Sequence, residues 1–146
     1  MTRRKLLAAL DVARVEQAIA RAEDTCSIEL RVSVAGLFWG DADAMARRAF
    51  ARLGMTATRD RNGVLVFLAP WRRKAIVLPD AGINAKIAAD APLWSATVAT
   101  ITQAFAAARF TEGLVAALDD LARGLAPAFP PTARANELPD RIDRGR

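Results

Sequence analysis

Apolar positions along the chain follow two periodicities, and these divide it into elements. Val12, Val15, Ile19 and Ala22 recur at steps of three and four, which predicts an amphipathic helix near Asp11 to Glu23 with Asp11 as its cap. Ile28, Leu30, Val32 and Val34 alternate with Glu29, Arg31 and Ser33, the period-two pattern of a strand with one apolar face. After a loop from Gly36 to Gly40, Ala42, Met45, Ala49, Phe50 and Leu53 mark a second helix that stops at Gly54, a residue suited to a C-terminal cap. Val64 to Ala69 are continuously apolar and rich in β-formers, as a central strand covered on both faces requires. The chain then turns at Pro70 to Arg73 and returns through Ala75 to Leu78 as a hairpin. Beyond Pro79 the pattern predicts a short helical piece around Asn84 to Ala89, then a longer helix striped by Trp94, Val98, Ile101 and Phe105. A last helix carries Leu114, Leu118, Leu121 and Leu125 on one face, with Thr111 as its cap and Pro127 and Pro130 ending it.

The order strand, helix, strand makes a right-handed parallel crossover, and the hairpin adds an antiparallel third strand. Four amphipathic helices are too many for one face of so small a sheet. The expected fold is therefore α/β, a three-layer α/β/α sandwich with a small mixed sheet. A chain of 146 residues fits one domain. It divides into an N-terminal extension over 1–10, a core over 11–126 and an extended, polar, proline-bearing tail over 127–146.

Composition narrows the class. Hydrophobic residues are 53% and charged residues 25% of the chain, ordinary values for a folded protein with a real core. The longest apolar run, Gly63 to Pro70, is well short of the roughly 20 residues a bilayer span needs. Arg3, Arg4 and Lys5 before Leu6 to Leu10 imitate the start of a signal peptide, but Asp11, Arg14 and Glu16 interrupt it. A cytoplasmic location is the expectation. Cys26, the one cysteine, cannot form an internal disulfide. A net charge of +5 favours anionic partners only weakly, and no nucleic-acid partner is expected.

Three stretches taken together look familiar: Ser27-Ile28-Glu29-Leu30-Arg31-Val32, Thr58-Arg59-Asp60-Arg61-Asn62-Gly63-Val64-Leu65, and Asp80-Ala81-Gly82-Ile83-Asn84-Ala85-Lys86 with Trp94 after it. With Phe105, Phe110, Gly113-Leu114 and the ending Asn136-Glu137-Leu138-Pro139-Asp140, they resemble the TPM domain, in the form of its small stand-alone bacterial members. The resemblance covers roughly residues 11 to 140. It implies an α/β/α sandwich, an acid phosphatase activity proposed for plant members, and calcium or other divalent-ion binding associated with some bacterial ones. Ile28 stands where the family usually has a small residue. The extra N-terminal strand region, signal peptide, transmembrane anchor and glycine-rich tail of many relatives are not seen in this sequence.

Candidate chemistry is limited by the lack of any histidine, which excludes a Ser-His-Asp triad, a Cys-His pair and imidazole zinc sites. A cysteine phosphatase needs an arginine about six residues beyond its thiolate. That offset from Cys26 falls on Val32, one past Arg31, so Cys26 reads as a structural thiol. Asp41-Ala42-Asp43 opens a helix instead of ending a strand, which is capping chemistry and not an aspartyl-phosphate site. There is no glycine-rich phosphate loop, and neither nucleotide, haem nor zinc is expected.

One constellation follows from topology. Glu29 starts the first strand, Asp60 and Asn62 precede the second, and Asp80 follows the third, so all four should gather at one end of the sheet. Hard oxygen ligands of this kind suit Ca²⁺ or Mg²⁺, while Arg59, Arg61 or Arg73 could orient a phosphate or carboxylate. Surface ion pairs and a turn at Asn62-Gly63 explain the same residues equally. Trp71 at the hairpin tip, beside Arg72 and Arg73, is a candidate contact surface. The leading expectation is an accessory domain that binds a partner protein, itself associated with a membrane or not, through loops at one sheet end, with a divalent-ion site. The alternatives are a weak metal-dependent acid phosphatase, and a basic binder of membrane surfaces or nucleic acid using Arg47, Arg48, Arg52 and the Arg72 to Lys74 tip.

Overall fold

Three strands form the sheet among the described residues, which are 1–132 and 138–145 of a computed structural model. Strand β1 (Glu29–Val34) lies parallel to the central β2 (Gly63–Ala69), and β3 (Lys74–Pro79) returns antiparallel on the other side. The crossover from β1 to β2 runs through α3 (Ala42–Arg52), which Asp41 caps by accepting from the Ala44 N–H at 3.1 Å. It ends at Gly54, whose φ of 69° is the left-handed backbone expected there.

Alternation in the strands separates two cores. Leu30, Val32, Val34, Val64, Val66 and Leu68 point to one face, where α2 (Val12–Thr25), α5 (Pro92–Ala106) and α6 (Phe110–Leu125) cover them. Leu65, Phe67 and Ala69 point to the other, against Phe38, Met55 and the Ala42, Ala46, Ala49 and Phe50 face of α3. The result is the three-layer α/β/α sandwich with a mixed sheet.

Several local features differ from the sequence expectation, each for a physical reason. Residues 3–9, placed in an extension, form helix α1 (Arg3–Ala9), whose Leu6 is fully buried against the main core. Burying such a side chain contributes about 1.5 to 3 kcal/mol. The short helical piece is α4 (Ala81–Asn84), earlier than expected, because the Asp80 carboxylate accepts from the Ala81 N–H and starts the turn there. Thr111 lies in the first turn of α6 without capping it. Its Oγ1 accepts from the Asp11 N–H at 2.9 Å and ties the start of α2 to α6.

The polar face of β1 is not open to water: Glu29, Arg31 and Ser33 are all buried. The tail supplies part of the cover. The Asp143 N–H donates to Val32 O at 2.8 Å and the Val34 N–H to Asp143 O at 2.9 Å, so this segment runs parallel to β1 at its free rim. Ile142 enters the main core, and its N–H donates to the Glu16 carboxylate at 3.0 Å. Asn136 and Glu137, part of the family-like ending, lie outside the described residues.

Candidate functional site at the two ends of the sheet

Parallel pairing of β1 with β2, and reversal at β3, give the sheet two unlike ends. At the first end stand the start of β1, the start of β2 and the close of β3. The Glu29 N–H donates to Asn62 O at 3.1 Å and the Asp80 N–H to Gly63 O at 2.8 Å. The segments carrying Glu29, Asp60, Asn62 and Asp80 therefore meet there.

Their side chains have separate duties. Asp80 is gripped by Arg61, with Nε and Nη2 each at 2.8 Å, and also accepts from the Ala81 N–H at 2.7 Å. Burial pushes the Asp80 carboxyl up, but the Arg61 hydrogen bonds, the Ala81 N–H and the Arg61 charge outweigh it and hold the group below the usual carboxylate range. Asn62 Nδ2 donates to Ser27 O at 2.9 Å, and Asp60 pairs with Arg59 at 3.6 Å. Arg61 holds a positive φ of 50°, which aims it at Asp80. Gly82 presses on the same loop: a Cβ there would stand 2.1 Å from Asp60 O and 2.6 Å from Arg61 O.

A divalent ion needs several oxygen ligands at one point. Among the described residues no three Asp, Glu or Cys side chains stand close enough to hold a metal, and the Asp80 carboxylate already accepts from Arg61 and the Ala81 N–H. Arg73 is a correction to the expected grouping. It precedes β3 while Asp80 follows it, and six residues of strand put it about 20 Å from that end.

At the other end the loop 35–41 after β1 meets the turn Pro70–Arg72 after β2. The Arg72 guanidinium joins them, donating to Gly40 O at 2.8 Å and Phe38 O at 3.3 Å and lying 4.7 Å from the Phe38 ring centroid. Phe38 in turn packs on Phe67 of β2. With Phe38 buried beneath, its neighbours Leu37 and Trp39 face outward, 61% and 84% exposed, and Trp71 across the join is 53% exposed. Met1, 42% exposed, lines a cavity beside the same turn with Pro70, Arg73 and Lys74. The exposed large hydrophobic residues among those described thus gather at this end.

Two cavities open here. One, of about 380 Å³, lies between the β2–β3 hairpin and α5. The other, of about 490 Å³, opens beyond β1 and is lined by Arg3, Ser33, Arg48 and Arg52. Arg3 fits there because Gly36 and Gly145 present bare backbone to it: a Cβ on either would stand 3.2 Å or less from the guanidinium.

The rim of β1 carries residues that the sequence reading passed over. Asp143 binds Arg52 through two hydrogen bonds, at 2.7 and 3.3 Å, and accepts from Ser33 Oγ at 2.8 Å. Burial pushes the Asp143 carboxyl up, and the Arg52 and Ser33 hydrogen bonds outweigh it and leave the group low. Glu23 accepts from the Leu30 N–H at 2.8 Å. Burial, followed by its hydrogen bond with Asp140, drives its carboxyl up to about 10, so at neutral pH it holds a proton. Burial also lowers the Arg31 guanidinium. The readable signal was the polar alternation of β1, which needed a polar cover. The buried Cys26 thiol donates to Ala22 O at 3.2 Å, consistent with packing.

These elements define a small α/β/α sandwich of mixed-sheet type with a closed charged end and an open apolar one. The TPM domain profile matches residues 2–124, and the chain belongs to that family. It is similar to the BA42 protein from the psychrophilic bacterium Bizionia argentinensis, solved by NMR, at 30% identity and a TM-score of 0.82. That match covers 92% of this chain and 94% of the other. The N-terminal domain of a protein from P. gingivalis shares the fold at 16% identity and a TM-score of 0.64, over 82% of this chain and 76% of that one. No match was found among curated proteins. No helix among the described residues is long and apolar enough to cross a membrane.

Proposed function

We propose that this TPM domain is an accessory interaction module that docks a partner protein on the end of the sheet bearing Leu37, Trp39 and Trp71. The observation that carries the reading is their joint exposure on two loops that Arg72 locks together. Large apolar side chains exposed on adjoining loops beside arginines suit a docking site, and Trp and Arg dominate binding energy at interfaces. Covering these three side chains removes on the order of 300 to 400 Å² of apolar surface, about 8 to 10 kcal/mol before the costs of association. Arg72 and Arg73 follow Trp71 directly, and Arg48 lines the same cavity as Leu37. The partner surface is therefore apolar with an acidic border.

The test compares capture from the native host by the wild type, by Trp39→Ala/Trp71→Ala, and by Asp60→Asn at the opposite end. One protein should be enriched by the wild type and by Asp60→Asn and fall at least about tenfold with the tryptophan variant, a loss of roughly 1.4 kcal/mol or more. Equal capture by all three would sink the reading. So would flotation with anionic vesicles that the tryptophan variant abolishes, because that outcome makes the patch a membrane surface.

A further inference from the structure

The cavity between the hairpin and α5 has a composition that selects a ligand. Its floor is Leu68 and Ala75, cross-strand partners on β2 and β3. Its wall is Ile101 from α5 together with Phe105 and Phe110, whose rings meet edge to face at 5.3 Å. These surfaces are apolar, and the polar wall residue Thr102 has its hydroxyl turned inward to Val98 O at 3.0 Å. Water in such a space finds few partners, so an apolar body is favoured there.

The mouth has the opposite character. Arg73 and Lys74 stand at it, both exposed, and neither has a carboxylate within 4 Å among the described residues. Arg73 is held in the left-handed region, φ 52°, by the hydrogen bond from its own N–H to Pro70 O at 3.1 Å. Its direction is thus set by the turn. About 380 Å³ lies within the range of small-molecule sites, roughly 300 to 1,000 Å³.

We infer that this cavity binds a medium-length alkyl or aryl carboxylate, its apolar body between the sheet and α5 and its carboxylate at Arg73 and Lys74. Such an acid carries a free carboxylate, which the esterified acyl chain of an intact lipid lacks, so a lipid surface is a separate ligand that the test distinguishes. The inference does not depend on the docking patch.

Octanoate is the probe, followed by NMR on the full chain, with octan-1-ol as the neutral control of similar size. Octanoate should saturate with shifts confined to Leu68, Ile101, Phe105 and Phe110, and octan-1-ol should bind about tenfold more weakly. Arg73→Asn/Lys74→Gln should cut octanoate affinity about tenfold and leave octan-1-ol unchanged; asparagine tolerates the left-handed backbone, so the turn is kept. Ala106→Leu, which fills the cavity, should weaken both ligands. Equal affinity for acid and alcohol, shifts elsewhere, or no saturation at millimolar octanoate would overturn the assignment. Binding to phosphatidylglycerol vesicles without any octanoate response would likewise overturn it.

Discussion

The two ends of the sheet both carry charged residues and use them in opposite ways. At the Glu29 end charge is consumed internally: Arg61 closes on Asp80, Arg59 on Asp60, and Gly82 packs flat against the loop between them. At the Trp39 end Arg72 spends its hydrogen bonds on backbone carbonyls and leaves Trp39, Trp71 and Leu37 in water. A cluster of acids and arginines draws the eye in a sequence, yet complementary charges placed together tend to satisfy one another. Residues left uncompensated at the other end are the better guide to binding.

Substitutions at the closed end should cost the most stability. Gly82→Ala drives a Cβ into backbone oxygen and should destabilise by about 2 to 4 kcal/mol in urea unfolding. Asp80→Ala removes the α4 cap and the acceptor for Arg61, a loss of about 0.5 to 2 kcal/mol.

The pH dependence then distinguishes the closed end from the strand rim. Asp80 and Asp143 are held low when folded, so their contribution is present above the ordinary 3.8 and is lost as pH falls through the folded values. Glu23 works in the reverse sense. Its carboxyl rises from 4.5 to about 10, so the folded state holds a proton the unfolded chain has released, and stability falls as pH climbs between those values. Unfolding midpoints at pH 6 and 9 should differ in the wild type and converge in Glu23→Gln. The smallest effect belongs to the open end: Trp39→Ala should change stability by no more than about 0.5 kcal/mol. A larger loss in thermal unfolding would show that the ring supports the fold.

Much of this architecture was legible beforehand because periodicity reports which face of an element is buried. It placed the strands and the longer helices, made the sheet mixed, and brought Glu29, Asn62 and Asp80 to one end. Periodicity carries no information on rotamers, so it could not tell that Asp80 would turn to Arg61. Arg73 was grouped with the wrong end because a hairpin residue has no period of its own. Leu37 and Trp39 were passed over as loop, although three large apolar residues between Gly36 and Gly40 cannot all be buried in so short a segment. The tail was read from its polarity, and polarity is silent about backbone hydrogen bonds: Asp143 docks through its N–H and C=O as well as its carboxylate, with Ile142 and Leu138 as apolar anchors.

That docking has a consequence for how copies of the protein behave in a crowded solution. A strand rim with bare amides recruits any extended chain that drifts past, and Asp143 already occupies the receptive positions at Val32 and Val34. Trimming everything after residue 132 would unmask them, and the shortened product should cluster with itself at concentrations where the intact protein stays dispersed. The pairing of Asp143 with β1 thus covers amides that would otherwise be open to another copy.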